Sequence, residues 1–168
     1  MFHSLLLAFP GIHGYGHKSR DILRPFLEFV PSEGDGSNPC YDDKGAGAED
    51  NYLQHRLSCL AAENDIYVAA NFGSVVQGCD YCHHGGECFY NTLVVFTNNG
   101  TLAAVYHKYN LWTSELTKYD IDLAPQMVTV QTEFGKLGLG ICEDLLWKSP
   151  VGQTEIFSEL ELHICVLS

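Results

Sequence analysis

Apolar residues in this chain come in short runs, and their spacing switches between the period of a helix and the period of a strand. In "SLLLAFPGIHGYG" the run at residues 5–9 leads into a Gly-rich loop and predicts a buried strand. "SRDILRPFLEFVP" places Ile22, Leu23, Phe26, Leu27 and Phe29 close to a 3.6-residue spacing, which predicts a helix with Ser19 as its N-cap and Pro25 in its first turn. A polar, Gly-rich loop, "SEGDGSNPCYDDKGAGAED", separates it from a second predicted helix. That helix is "NYLQHRLSCLAAEND", with Leu53, Leu57 and Leu60 on one face.

Strand signals then take over. "IYVAANFGSV" reads as a β run and "CDYCHHGGEC" as a cysteine-rich loop. "YNTLVVFTNNGTLAAVYHKYNL" reads as a hairpin turning at "NNG", and "MVTVQTEFGKLGLGIC" as a second hairpin with "EFGK" at its turn. The last segment, "TEIFSELELHICVLS", suggests a helix that breaks into a strand. This mixture implies an α/β protein with a substantial internal sheet and no linker. The chain ends inside an apolar strand.

Length and charge narrow the functional classes. The 168 residues suit one domain, which removes roughly 70% of its unfolded surface from water. A formal net charge of -12 disfavours nucleic acid and anionic membrane surfaces as partners, since both repel an acidic protein. No apolar run approaches the ~20 residues a membrane-spanning helix needs. The N-terminal apolar run is short and meets Pro10 and Gly11 at once, so it reads as a strand rather than a signal peptide.

Seven cysteines are many for a reducing compartment, and Cys40, Cys59, Cys79, Cys82 and Cys88 all fall in loop-like surroundings. Asn99-Gly100-Thr101 is a glycosylation sequon between two strand-like runs. Together they favour an extracellular location. In "CDYCHHGGEC", Cys79-x-x-Cys82-His83 also fits c-type haem attachment, and with His84 and Cys88 it fits a zinc site, so disulfide, zinc and haem readings stand side by side.

Three residues carry the candidate chemistry. "LGLGIC" is a Gly-punctuated strand followed by the acids Glu143 and Asp144. A thiol at the carboxyl end of such a strand, Cys142, faces the crevice where α/β proteins bind ligands, and the N–H groups after it could hold an oxyanion. The bland reading is a buried structural thiol. A nucleophilic thiol needs a base or a nearby cation, and Lys108 in "VYHKYNLW" is a candidate cation at another strand end. Alone it reads equally as a solvated lysine. Glu115 in "WTSEL" is less distinctive still.

"YNTLVVFTNNGTLAAVYHKYNLW" followed by "FGKLGLGICEDLLWKSP" resembles the lysine and cysteine motifs of the carbon–nitrogen hydrolase (nitrilase) superfamily. "FPGIHGYG", "RPFLEFVPS", "NPC", "QHRLSCLA" and "VVFTNNGTL" are similar to its biotinidase and vanin (pantetheinase) branch. The motifs span residues 5–150 in the family's order. The resemblance implies a partial α-β-β-α nitrilase-type sandwich over residues 1–168, with Cys142 as nucleophile, Lys108 as oxyanion partner and Glu115 as a second glutamate that organises the site. It implies no cofactor and no metal. The implied substrate is a small-molecule amide of a vitamin, such as a biotin or pantetheine conjugate. Disulfides Cys40–Cys59 and Cys79–Cys88 are implied too, and the membrane enters only through a lipid anchor in a longer form.

The sequence departs from the family pattern at one catalytic position. The branch places its base glutamate shortly after "FP", whereas here Pro10 runs directly into Gly11, and the next acid is Asp21. Glu143 takes a position that is aromatic in the branch, so "ICEDLLW" looks more like the glutaminase domain of NAD synthetases. The chain is therefore expected to be an incomplete copy of a longer enzyme. A non-catalytic secreted remnant or binding module of the same ancestry stands as the alternative function.

Overall fold

In the computed structural model the structure describes residues 6–9, 19–30, 36–42, 51–78, 86–123, 127–147 and 162–166. Its strands are β1 (Leu6–Phe9), β2 (Glu28–Phe29), β3 (Tyr67–Gln77), β4 (Glu87–Phe96), β5 (Leu102–His107), β6 (Thr129–Thr132), β7 (Gly135–Leu139) and β8 (Leu162–Val166). Its helices are α1 (Arg20–Leu23) and α2 (Tyr52–Asn64). The first sheet runs β1-β3-β4-β5, with β2 pairing a second stretch of β3. The second runs β6-β7-β8. β1 and β2 lie parallel to β3, at Leu6↔Tyr67 and Glu28↔Ser74, while β3-β4 and β4-β5 are antiparallel.

β3 is buried along almost its whole length because both of its faces are covered, which is why its sequence lacks polar alternation. One face carries Val68, Ala70 and Phe72 and packs with Val94, Phe96 and Val105 against Leu57 and Ala61 of α2. The other face carries Tyr67 and Ala69. With Leu93, Val95, Ala104 and Tyr106 it packs against Val130, Leu137 and Leu139 of the second sheet and against Ile141 just beyond β7. The described residues thus stack as helix, sheet, sheet, which is the expected α/β sandwich without the outermost helical layer.

Both expected hairpins form. β4 and β5 meet through the turn of residues 97–100, where the Gly100 N–H donates to the Thr97 carbonyl at 2.8 Å with φ at +86°. β6 and β7 meet through Glu133 and Phe134. The terminal strand is present as β8, and the helix expected before it lies outside the described residues.

Two expectations fail. The first helix is a single turn, continued by a 3-10 turn (Arg24–Phe26). Pro25 has no N–H to carry an α-helix on, so Leu27 turns extended and β2 pairs with β3 instead. Only Leu23 and Leu27 of its apolar set are buried, while Ile22 and Phe26 are exposed. Ser19 caps through its backbone carbonyl, which accepts from Ile22 and Leu23, and not through its side chain.

The second helix forms where expected, but Leu53 is exposed, and the buried face is Gln54, Leu57, Ser58 and Ala61. The Glu28 carboxylate explains the shift. It accepts from the backbone N–H groups of Leu53 and Gln54 and from the Gln54 side chain, so β2 caps α2 and draws Gln54 inward.

The cysteines divide in the same way. Cys40 and Cys59 form a disulfide, and Cys142 is a free, exposed thiol. Cys88 is buried and disulfide-bonded. A sulfur so bonded is not a thiolate ligand, which weighs against Cys88 as a zinc ligand. Cys79, Cys82, His83, His84 and the Pro10–Gly11 junction lie outside the described residues.

Candidate active site

The row of inward side chains on β3 and β4 changes character toward one end of the inter-sheet core. Ala69 and Leu93 give way to Asn71 and Asn91, both nearly inaccessible to water. Buried amides require partners, and theirs form a chain. Asn71 Nδ2 donates to Asn91 Oδ1 at 2.6 Å and to the Thr92 carbonyl at 2.9 Å. Asn91 Nδ2 donates in turn to Glu115 Oε1 at 2.7 Å.

Lys108 is the first residue after β5. Its N–H donates to the Asn91 carbonyl at 2.8 Å, which continues the β4–β5 ladder by one rung. The side chain is only 3% exposed, and its Nζ lies 2.7 Å from Glu115 Oε2. The Trp112 N–H donates to the same oxygen at 2.7 Å. Burial alone would push the Glu115 carboxyl up; the Lys108 ammonium, the Trp112 N–H and the Asn91 amide outweigh it and hold the group below its ordinary value. Glu115 is therefore an ionised anchor that fixes the lysine head.

Cys142 lies three residues past the end of β7, in a 3-10 turn (Cys142–Leu145). Its φ is +48°, a left-handed value that costs a non-glycine residue about 1–3 kcal/mol unless its surroundings impose it. Those surroundings centre on Asp144, whose side chain is fully buried. Its Oδ2 accepts from Tyr106 Oη at 2.7 Å and from the Ile141 N–H at 3.1 Å. Its Oδ1 accepts from the Asn110 N–H at 2.7 Å and from Asn110 Nδ2 at 3.0 Å. Tyr106 and Asn110 flank Lys108 by two residues on either side. One carboxylate thus binds the thiol-bearing turn to the lysine-bearing segment.

On the opposite face of the same strands, Ser74, Thr92 and His107 form a second polar chain, with contacts of 2.6 Å and 2.9 Å to the Thr92 hydroxyl. His107 stacks on Tyr90 with ring centroids 4.2 Å apart. Burial lowers its pKa from the usual 6.5 to about 4, partly opposed by Asp122. The chain lies beneath the lysine segment and points away from the thiol.

Sequence reasoning named Cys142, Lys108 and Glu115 as candidates; the structure pairs Lys108 with Glu115 and ties the turn that carries Cys142 to the lysine segment through Asp144. Sequence reasoning passed over Asp144, Asn91, Asn71, Tyr106 and Asn110. The available signals were a second acid beside Cys142 and two asparagines inside apolar strands, residue types seldom buried without a purpose.

Residues 11–151 match the carbon–nitrogen hydrolase family. The chain belongs to that family. Among family relatives, the pantetheinase of Canis lupus familiaris is 38% identical over 152 residues, covering 88% of this chain and 29% of its own length. The biotinidase of Homo sapiens is 35% identical over 153 residues, covering 86% of this chain and 27% of its own length. This chain therefore spans less than a third of the family members it matches. A solved N-terminal amidase superposes with a TM-score of 0.61 over 97% of this chain and 38% of its own, at 14% identity. That likeness establishes the nitrilase-type fold.

Proposed function

We propose that this chain carries the thiol site of a secreted amidohydrolase that cleaves the amide bond of a vitamin conjugate, such as a pantetheine or biotin amide. The observation that carries the reading is the Asp144 clamp, which fastens the free thiol of Cys142 to the segment presenting the buried Lys108–Glu115 pair. The Cys142 sulfur attacks the amide carbonyl, and a sulfur–carbon bond forms as the carbonyl π bond opens. The Lys108 ammonium faces the oxyanion, held there by Glu115. The carbon–nitrogen bond breaks as the proton given up by the thiol passes to the departing amine, and water then adds to the thioester, releasing the acid as one of its protons returns to the sulfur. Family membership and similarity to pantetheinase and biotinidase support the choice of substrate. The Cys40–Cys59 disulfide and the sequon at Asn99 support an extracellular location.

A second reading, a catalytically inactive remnant or binding module, is favoured by the sequence after Pro10 and by the hydrogen bonding of the two buried carboxylates among the described residues of the site. Pro10 runs into Gly11 without the glutamate the family uses. Glu115 already accepts three hydrogen bonds and Asp144 four, so neither buried carboxylate is free to act as that base. Loss of a general base costs about 10²–10⁴-fold in rate. Incubation with pantetheine and biotinyl amides decides between the two. Turnover that disappears in Cys142→Ala supports the hydrolase, and no turnover by a folded wild type supports the remnant.

A further inference from the structure

We infer that Asp144 is the positioning residue that holds Cys142 in its left-handed turn and sets the thiol against Lys108. The inference rests on the hydrolase reading of the same site. Three observations carry it. The carboxylate is fully buried, and each of its oxygens accepts two hydrogen bonds. Those four bonds reach both segments of the site: Ile141 immediately before the thiol, and Tyr106 and Asn110 on either side of the lysine. The residue they enclose is Cys142, which with Asp65 is one of two non-glycine residues at positive φ among the described residues.

Asp65 ends α2, where a left-handed residue is an ordinary helix stop. Cys142 has no such excuse. Its strained backbone persists because the Ile141 N–H and the Asp144 carboxylate close the turn on themselves, while the Asp144 N–H donates back to the Ile141 carbonyl at 3.0 Å. The hydrogen bonds of the Asp144 carboxylate go to Tyr106, Asn110 and Ile141. It acts through the two segments it joins.

Asp144→Asn is the discriminating variant, because it keeps the volume but turns one acceptor into a donor facing other donors. Two readouts are taken on the full chain: alkylation of Cys142 by acrylamide at neutral pH, followed by intact mass, and steady-state hydrolysis of a pantetheine amide. Asp144→Asn is expected to melt cooperatively, to alkylate Cys142 more slowly than wild type, and to lose about 100-fold in kcat with KM nearly unchanged, as for a misplaced reacting group. A merely structural role would lower the melting temperature without that split. If Asp144→Asn does not fold, Tyr106→Phe removes one donor of the four and is expected to shift both readouts in the same direction by less. A folded variant with the wild-type alkylation rate overturns the inference. A wild type that hydrolyses no amide fails the hydrolase reading separately, and the alkylation comparison still decides the role of Asp144.

Discussion

Lys108 Nζ lies 2.7 Å from Glu115 Oε2, with the lysine side chain 3% exposed and the glutamate 15%. The six residues 109–114 connect them, and the chain returns to close this pair. Removing one member strands the other in a poorly solvated site. Glu115→Ala is expected to cost about 3–5 kcal/mol in a denaturant melt, and Lys108→Met, which takes the charge away and keeps much of the volume, is expected to cost less. If the chain has the proposed amidohydrolase activity, either substitution is expected to abolish turnover of a pantetheine amide.

The same carboxylate makes part of the protein's stability depend on pH. Its native pKa is lowered, so the unfolded chain binds a proton that the folded chain refuses. The contribution is complete above the ordinary value of 4.5 and is lost as the pH falls through the lower native value. The stability difference between wild type and Glu115→Gln, measured by urea melts at stepped pH, should therefore shrink below pH 4.5 and stay level above it.

His107 acts in the same direction over a higher window. Its native pKa of about 4 against the usual 6.5 means that protonation favours the unfolded chain. Its contribution is complete above pH 6.5 and is lost progressively down to about pH 4. Wild type should lose stability faster than His107→Gln across that interval, by at most about 1.4 kcal/mol per pH unit for one proton. Identical slopes for the two proteins would remove the assignment.

The turn between β4 and β5 is tied to the disulfide. Ser58 Oγ donates to the Gly100 carbonyl at 2.6 Å and accepts from the Cys40 N–H at 3.0 Å. A Cβ on Gly100 would lie 2.8 Å from the Ser58 carbonyl oxygen, and its φ of +86° disfavours any side chain. Gly100→Ala is expected to destabilise by about 1–3 kcal/mol. Replacing Cys40 and Cys59 together by serine opens a crosslink between residues 19 apart in sequence and should cost about 3 kcal/mol by chain entropy. Both losses are read from thermal or denaturant melts.

Asn99 sits on the exposed side of that turn, its Oδ1 accepting from the Thr97 hydroxyl and the Thr101 N–H. Expression through a eukaryotic secretory route should yield protein that loses mass on treatment with an amide-cleaving glycosidase. Asn99→Gln should lack that mass from the start. A wild type of bare polypeptide mass would end the glycosylation proposal.

Spacing alone was enough for β3, β4, β5 and both hairpins, because a strand buried on two faces has to be an apolar run and "NNG" and "EFGK" are turns by local chemistry. It misjudged the segment after Ser19, where an apolar spacing close to helical was overruled by Pro25 and by the open edge of β3. It misjudged Leu53, since periodicity carries no information about the distant carboxylate of Glu28 that caps the helix and pulls Gln54 inward. The motif residues Lys108, Glu115 and Cys142 were legible as types at familiar intervals. Their mutual arrangement was not.

What the sequence determines by itself is therefore local: which stretches become strands, where they turn, and which side chains have chemistry to offer. The tertiary structure alone decided that Asp144 is buried, that it spans 34 residues of sequence to reach Asn110 and 38 to reach Tyr106, and that Asn71 and Asn91 relay to Glu115. The physical reason is that a buried polar group takes whichever partners the packed sheets bring within about 3 Å. That choice depends on strand order and register, which no single stretch of residues encodes.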